Sequence, residues 1–460
     1  MNHDESLVRR VRQRAGGKRA LAPAVAYILA FALIAPSTLA GCGSEAPDCD
    51  VAGVICTFAG TGKAGLGKDG VAPTAVSLYL PQDLMFGPDG RAYIVDWNNH
   101  RIRVIDQGKV QTLIGTGELG DAPDGDGLQT RLNHPTHVAF SPDGKLILSA
   151  WHNSKVMQYD LSTHEIKAIC GNGERTYAGE GAAAKDAKLD LPVATAFDSQ
   201  GRMLIMDQAN QRIRRVEGDG TLHTVVGPVG PFLPAGYVEV CKPGSDPGQA
   251  PECKFCKAAE AADPACKGPP ARPQGFAGSV QPGAVVGSAA YMNQPFSQSA
   301  PPAGGMEMGP GDKLVFADSG NHVIRMLLPD GSVQTIAGTE PKDYDATTLL
   351  DDAPAGGYGG DGGPATAAKF SQPRDVAVHP SGVIFVADKE NNCVRRIDLD
   401  GTVHGVAGTC GKRGYGGDFG PADEALLNRP YGVALDAEGN LYIADTYNHR
   451  IRVVHQAVAN

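Results

Sequence analysis

Large aromatic side chains are scarce in this chain, with 2 Trp, 13 Tyr and 13 Phe among 460 residues, while glycine is abundant at 60. That balance suits many short strands joined by turns. No nucleophile elbow, phosphate-binding loop or zinc-protease helix motif occurs, so no local motif declares a catalytic class. Surplus positive charge is also missing. The formal net charge is −10, and it falls to −14 when the basic leader (six Lys/Arg, two Asp/Glu) is set aside. Nucleic-acid binding relies on a basic face, so that class of partner is disfavoured, while steering of cationic partners stays open.

What the chain has instead is one pattern repeated six times: a Pro opening an apolar stretch, a Gly-bearing turn, a second apolar stretch ending in Asp, an Asn three residues on, and an apolar/Arg pair. The prolines are Pro81, Pro135, Pro192, Pro295, Pro373 and Pro430. The Asp follows as Asp96, Asp207, Asp318, Asp388 and Asp445, with Ala150 in blade two, and the Asn as Asn99, Asn153, Asn210, Asn321, Asn391 and Asn448. The Arg is Arg103, Arg214, Arg325, Arg395 and Arg452, with Met157 as the exception. A period of roughly 55 residues built from alternating stretches specifies a small antiparallel sheet that cannot bury its faces alone. Five copies continue into a fourth strand ending at Gly. The sixth lacks it, and GVICTFAG at 53–60 is an orphan fourth strand. The two ends are therefore expected to pair, giving an all-β, six-bladed propeller of four-stranded antiparallel blades, closed by the N-terminal strand in the last blade with no open sheet edge.

The segments PQDLMFGPDGRAYIVDWNNHRIRVI, PRDVAVHPSGVIFVADKENNCVRRI and PYGVALDAEGNLYIADTYNHRIRVV resemble NHL repeats. The resemblance implies the propeller over about 53–455. It leaves function open among protein-binding and RNA-binding modules, sensor domains and lyases.

Residues 1–41 are expected to lie outside the fold. Six basic residues precede an apolar run, and Leu39-Ala40-Gly41-Cys42 resembles a bacterial lipoprotein cleavage box, as against an uncleaved membrane anchor. The resemblance implies lipidation of Cys42, a tether over 42–52 and membrane attachment through the lipid. Gly43 favours the outer membrane over the inner. In an exported chain the remaining cysteines are expected to form disulfides: Cys49 and Cys56, Cys393 and Cys410, and Cys241, Cys253, Cys256 and Cys266 within a Pro/Gly-rich insertion at about 228–290, with Cys170 left over. The insertion replaces a link between blades and is expected to rise from one face as a flap, or to be a tolerated surface expansion.

The Asp-x-x-Asn turns and the links between blades fall on one face, termed the top. Repetition of Asp, Asn and Arg around the ring reads as structural bracing. The acids of the links (Asp69, Glu180, Asp361, Asp418, and Asp126 in a shorter link) read as turn residues, since a calcium site needs six to eight oxygens. Function is sought where the repeats disagree. Trp97 and Trp151 share one slot in blades one and two, Tyr447 sits in the neighbouring turn of blade six, and His100, His152 and His449 come from the same turns. Ring closure is expected to gather these residues into one ligand-binding sector, with the alternative that the rings pack between blades.

Slots two residues after each Pro (Asp83, His137, Ala194, Ser297, Asp375, Gly432) head the central channel. Asp83, His137 and Asp375, with His134 nearby, form a candidate divalent-metal set, the alternative being a hydrogen-bonded channel. Amidating lyases with similar propellers bring three His to a zinc, and here those slots hold one. The preferred reading is a lipid-anchored envelope protein that binds a protein, peptide or glycan on its top face, without a cofactor or nucleic acid. The alternative is a metal-dependent lyase or hydrolase at the channel mouth.

Overall fold

The computed structural model describes residues 48–227, 229, 237–242, 252–257, 285–286, 292, 294, 301–339 and 356–458. The leader, Cys42, Cys266, Pro295 and Ser297 lie outside the described residues, as does most of the insertion. The fold is a six-bladed β-propeller of four-stranded antiparallel sheets. Blade three shows the plan: Pro192–Phe197, Met203–Asp207, Arg212–Val216 and Leu222–Val226, paired in that order from the channel outward. Each strand alternates, so both faces of every sheet are apolar and the core lies in layers between blades. One such layer joins Tyr93, Val95 and Ile102 of blade one to Val138, Leu146 and Leu148 of blade two.

The ring is sealed as the orphan strand requires. Val54–Ala59 pairs antiparallel with Arg450–Val454, Ile55 opposite Val454 and Cys56 opposite Val453, and Gly53 N–H donates to His455 O at 2.8 Å. A Cys49–Cys56 disulfide fastens this strand, and Cys393–Cys410 ties the third strand of blade five to the link that follows its fourth. Every outer strand is in turn touched by the link entering its own blade. The pairs are Val71 with Val110, Gly125–Asp126 with Glu165–Ile166, Ala183 with Thr221, Val285–Val286 with Ser332–Val333, Pro364 with Thr402, and Gly420–Pro421 with Val54–Ile55. These short bridges cover what would otherwise be bare edge amides and carbonyls.

The repeated polar residues form a bolt in each blade. Arg103, buried, lies 3.3 Å from Asp96 Oδ2 at the end of its own second strand and 2.8 Å from Asp69 Oδ1 in the incoming link. Arg452 does the same with Asp445 at 3.5 Å and Asp418 at 2.6 Å, Arg214 with Asp207 and Glu180, and Arg395 with Asp388 and Asp361. Arg325 meets Asp318 at 2.7 Å. The link acids are thus the second anion of a buried guanidinium, beyond the turn role expected of them. Asn99 Nδ2 completes the knot, donating to Asp96 Oδ2 and Gly65 O at 2.8 Å, and Asn391 and Asn448 repeat it. Burial pushes these carboxyls up, to about 6 for Asp96, Asp207 and Asp445 and about 7 for Asp388, against the pull of Arg and Asn. Blade two loses both Asp and Arg together, as Ala150 and Met157, so neither charge is stranded.

Blade four departs from the expected register. Its first strand is Met306–Gly309, paired with Lys313–Asp318, rather than a strand opening at Pro295. Gly305 therefore holds the slot assigned to Ser297. Its oxygen accepts from Ala317 N at 3.0 Å, and a Cβ there would collide with the Asp375 carboxylate. Within the insertion, Tyr237–Lys242 and Glu252–Lys257 form an antiparallel pair with Cys241 opposite Cys253 in backbone register.

Two measurements check this account. Arg395→Met strands Asp388 in the core and is expected to cost about 3–5 kcal/mol, as for other broken buried pairs. The double change Asp388→Ala with Arg395→Met, copying blade two, is expected to cost less than the single, and urea or thermal unfolding that ranks the two in the opposite order overturns the bolt. Deleting residues 48–60 bares the edge of Arg450–Val454, and concentration-dependent association by light scattering is expected.

Candidate functional site

The top face is built from the six turns that follow the second strands. Each is a single 3-10 turn closed at a left-handed residue: His100, Ser154, Gln211, His322, Asn392 and His449 have φ between 51 and 59°. All but Ser154 do a common job. Their side chains accept a backbone N–H from the next link: His134 N to His100 Nδ1 at 3.3 Å, Gln372 N to His322 Nδ1 at 2.9 Å, Leu80 N to His449 Nδ1 at 3.2 Å, Gln294 N to Gln211 Oε1 at 2.6 Å and Arg429 N to Asn392 Oδ1 at 3.0 Å. His100 and His449 are thus turn-to-link fasteners at one ring nitrogen.

At the residue after each second strand the repeats differ: Trp97, Trp151, Gln208, Ser319, Lys389 and Thr446. Thr446 Oγ1 donates to Pro81 O at 2.7 Å, and Ser319 Oγ to Pro373 O, spanning to the next blade. The two indoles form a ring cluster instead. Trp151 is 2% exposed and donates from Nε1 to Gln208 Oε1 at 3.1 Å; its ring stacks on His152 at 4.0 Å between centroids. Trp97, half-buried, lies 6.5 Å from Trp151 and 4.5 Å from His134. His134 sits at the centre, 4.5 Å from His100 and 5.0 Å from His152. Its two nitrogens meet Asn133 Oδ1 at 2.7 Å and Asn98 Oδ1 at 3.3 Å. Burial and the neighbouring imidazoles push His134 down to about 3, and burial with Arg175 and His100 takes His152 to about 4, so the cluster is neutral at pH 7. Trp97 Nε1 and His152 Nε2 have no hydrogen-bond partner.

Tyr447 lies elsewhere. It is 40% exposed, and its contacts run to the blade five side, to Tyr431 at 6.3 Å and to the Arg429 guanidinium at 5.2 Å. Of blade six, His449 approaches blade one through Tyr79 at 5.7 Å. The described contacts therefore join Trp97, Trp151, His100 and His152 into one cluster and place Tyr447 in another. His134 is its centre, a residue whose only sequence signal was its nearness to the channel slots.

The channel slots form a belt of inter-blade bonds. Asp83 Oδ2 accepts Val138 N at 3.4 Å, His137 Nδ1 accepts Thr195 N at 3.4 Å, Asp375 Oδ2 accepts Val433 N at 3.1 Å, and Glu307, unremarked in the sequence, accepts Val378 N at 2.7 Å. They line a cavity of about 250 Å³ with Met85, Phe140 and Leu435. Burial and Arg374 push His137 down to about 3; burial raises Asp375 to about 6 and Glu307 to about 8. With Nδ1 accepting, His137 carries its proton on Nε2, 3.8 Å from Asp83. Among the described residues no three His, Cys, Asp or Glu side chains are grouped to hold a metal ion. Asp83, His137 and Asp375 do not fit one, because each turns its acceptor to a neighbouring backbone amide.

Known proteins share this architecture. Residues 54–233 match the family described as Teneurin NHL domain, and residues 370–397 and 427–454 match the NHL repeat. Teneurin-m of Drosophila melanogaster is 25% identical over 85% of this chain and 12% of its own length, and human NHL repeat-containing protein 2 is 35% identical over 34% and 22%. The chain thus spans under a quarter of either relative. An auxiliary nutrient binding protein from Bacteroides ovatus superposes with a TM-score of 0.50 and 15% identity, covering 87% of this chain and 76% of that one, which speaks to the fold alone. Repeat sequence, bolted turns and six-bladed closure agree: the chain belongs to the NHL-repeat β-propeller family.

Proposed function

We propose that this chain is a lipid-anchored binding or scaffold protein of the cell envelope that receives a protein, peptide or glycan on its top face at blades one and two. The observation that carries this reading is the ring cluster of Trp97, His134, His152 and Trp151. At five of the six turns the fold is served by an Asp–Arg bolt; blade two lacks it, and its turn carries the stacked Trp151 and His152. Half-buried Trp97, His134 and His152 offer aromatic ring area on the top face, with Trp97 Nε1 and His152 Nε2 enclosed beneath it. Buried Trp151 and His100 hold that surface rigid from beneath. Rigid aromatic surfaces with polar tips are what protein and sugar recognition uses. The Bacteroides ovatus protein of the same fold carries a nutrient-binding name, which accords with a ligand-receiving role.

The address follows from Cys42 in its lipobox-like context, with Gly43 favouring the outer membrane. Two disulfides in the propeller, Cys49–Cys56 and Cys393–Cys410, suit an oxidising compartment.

Affinity capture from envelope extract is expected to recover a partner with the wild-type chain and to lose it at least tenfold with Trp97→Ala plus His152→Ala, as for a truncated interface anchor. Equal recovery at an unchanged melting temperature rejects this surface. Cys42→Ser is expected to abolish radiolabelled fatty-acid incorporation and to release the protein from the membrane fraction; continued labelling rejects the anchor.

A further inference from the structure

Another corner of the top face, at the junction of blades five and six, has its own departure from the repeat. Seven arginines are buried among the described residues: Arg103, Arg212, Arg214, Arg325, Arg374, Arg395 and Arg452. Five sit in the acid bolts, and Arg212 donates to Asn210 O and covers the Tyr177 ring. Arg374 alone makes neither a hydrogen bond nor an ion pair. It is 2% exposed, and its Nε is enclosed without an acceptor.

The other buried arginines each reach an acid or, for Arg212, a backbone carbonyl, so the vacancy beside Arg374 needs an explanation. The nearest carboxylates do not fill it. Asp375 Oδ2 is taken by Val433 N, and Asp83 accepts Leu84 N at 2.8 Å and Val138 N. Both act on Arg374 through space, without a hydrogen bond to it.

Around the guanidinium the chain has gathered more positive charge and aromatic surface. Lys389, 3% exposed, stands where the other blades carry an uncharged residue: Trp97, Trp151, Gln208, Ser319 or Thr446. Arg374 lies 5.9 Å and Lys389 5.4 Å from the centroid of Tyr431, itself buried. Tyr447 and Arg429 continue the stack to the surface. Among the described residues Glu390 pairs with Lys389 at 3.2 Å and Arg429 at 3.0 Å and makes no ion pair with Arg374.

We propose that this corner is a carboxylate-binding site in which the Arg374 fork, aided by Lys389, holds the anion beside the ring of Tyr431, while exposed Tyr447 stacks on the body of the ligand. A planar guanidinium matches a carboxylate in two-point fashion, and tyrosine faces suit a sugar or peptide backbone. The site is separate from the ring cluster of blades one and two and does not rest on it.

The test is calorimetric titration of the whole chain in detergent with two matched pairs: sodium glucuronate against glucose, and acetyl-dialanine with a free against an amidated carboxyl end. At least one carboxylate is expected to bind tenfold or more tighter than its neutral counterpart, and which pair does so identifies the source. Arg374→Met is expected to lose at least tenfold, and Arg374→Lys, which keeps charge but not the fork, to lose severalfold; Arg131→Met, a surface change, serves as control. Should Arg374→Met fail to fold, Arg374→Lys and Lys389→Met carry the test. No preference for carboxylate over neutral probe, or unchanged binding in the Arg374 variants, overturns the site and leaves Arg374 as a distant counterweight to Asp83 and Asp375. Partner recovery through Trp97 is read separately, so either result stands without the other.

Discussion

A buried guanidinium held between two carboxylates is the interaction on which this propeller depends. In blades one, three, five and six an Arg of the third strand joins the Asp ending the second strand to an acid of the incoming link. A sheet, a turn and a connection, which also pack apolar side chains together as Val76 and Leu78 do against Ile94, are thereby locked in one geometry. Burying one such charge is costly, and breaking a buried pair is worse than never having built it. The bolts therefore fix the turns in position, and fixed turns are the condition for a shaped top face.

Much of this was legible in the sequence because the repeats report on one another. The spacing of Pro, Asp, Asn and Arg gives six blades, and the unmatched strand at 53–60 gives ring closure. Three features were not legible for definable physical reasons. The link acids read as turn residues because a Gly-Asp-Gly turn has sufficient local cause, and only the fold brings Asp69 or Asp418 against an Arg some 34 residues away. Blade four was misplaced because a Pro is not needed at its first strand: the slot asks for a residue without a side chain beside Asp375, and Gly305 supplies that. Tyr447 follows Thr446 in sequence as a neighbour of blade one, yet a side chain on a turn leans to one side of its blade, and this one leans toward Arg429.

The histidines show the same limit. His100, His322 and His449 recur because a left-handed turn residue with an acceptor nitrogen fastens the next link, and Gln211 and Asn392 do this as well. Repetition marks bracing. Non-repetition marks the two corners of the top face that differ in chemistry, one neutral and aromatic around His134, the other cationic around Arg374, with the acid-lined channel below and between them. A ligand large enough to span them would meet apolar stacking at one end and charge at the other.

Closure also imposes an order of events on synthesis. Blades one to five are each cut from continuous chain, whereas the sixth sheet draws on both ends, with Arg450 donating to Thr61 O across 389 residues. The first strand of the propeller to be synthesised is consequently the last to find its neighbour. The entropy of joining such distant ends grows only logarithmically with length, so the finished ring bears little thermodynamic burden, while the wait exposes a solitary strand throughout translation. The Cys49–Cys56 loop, closed within that strand's own neighbourhood, is available to shape it before any partner exists.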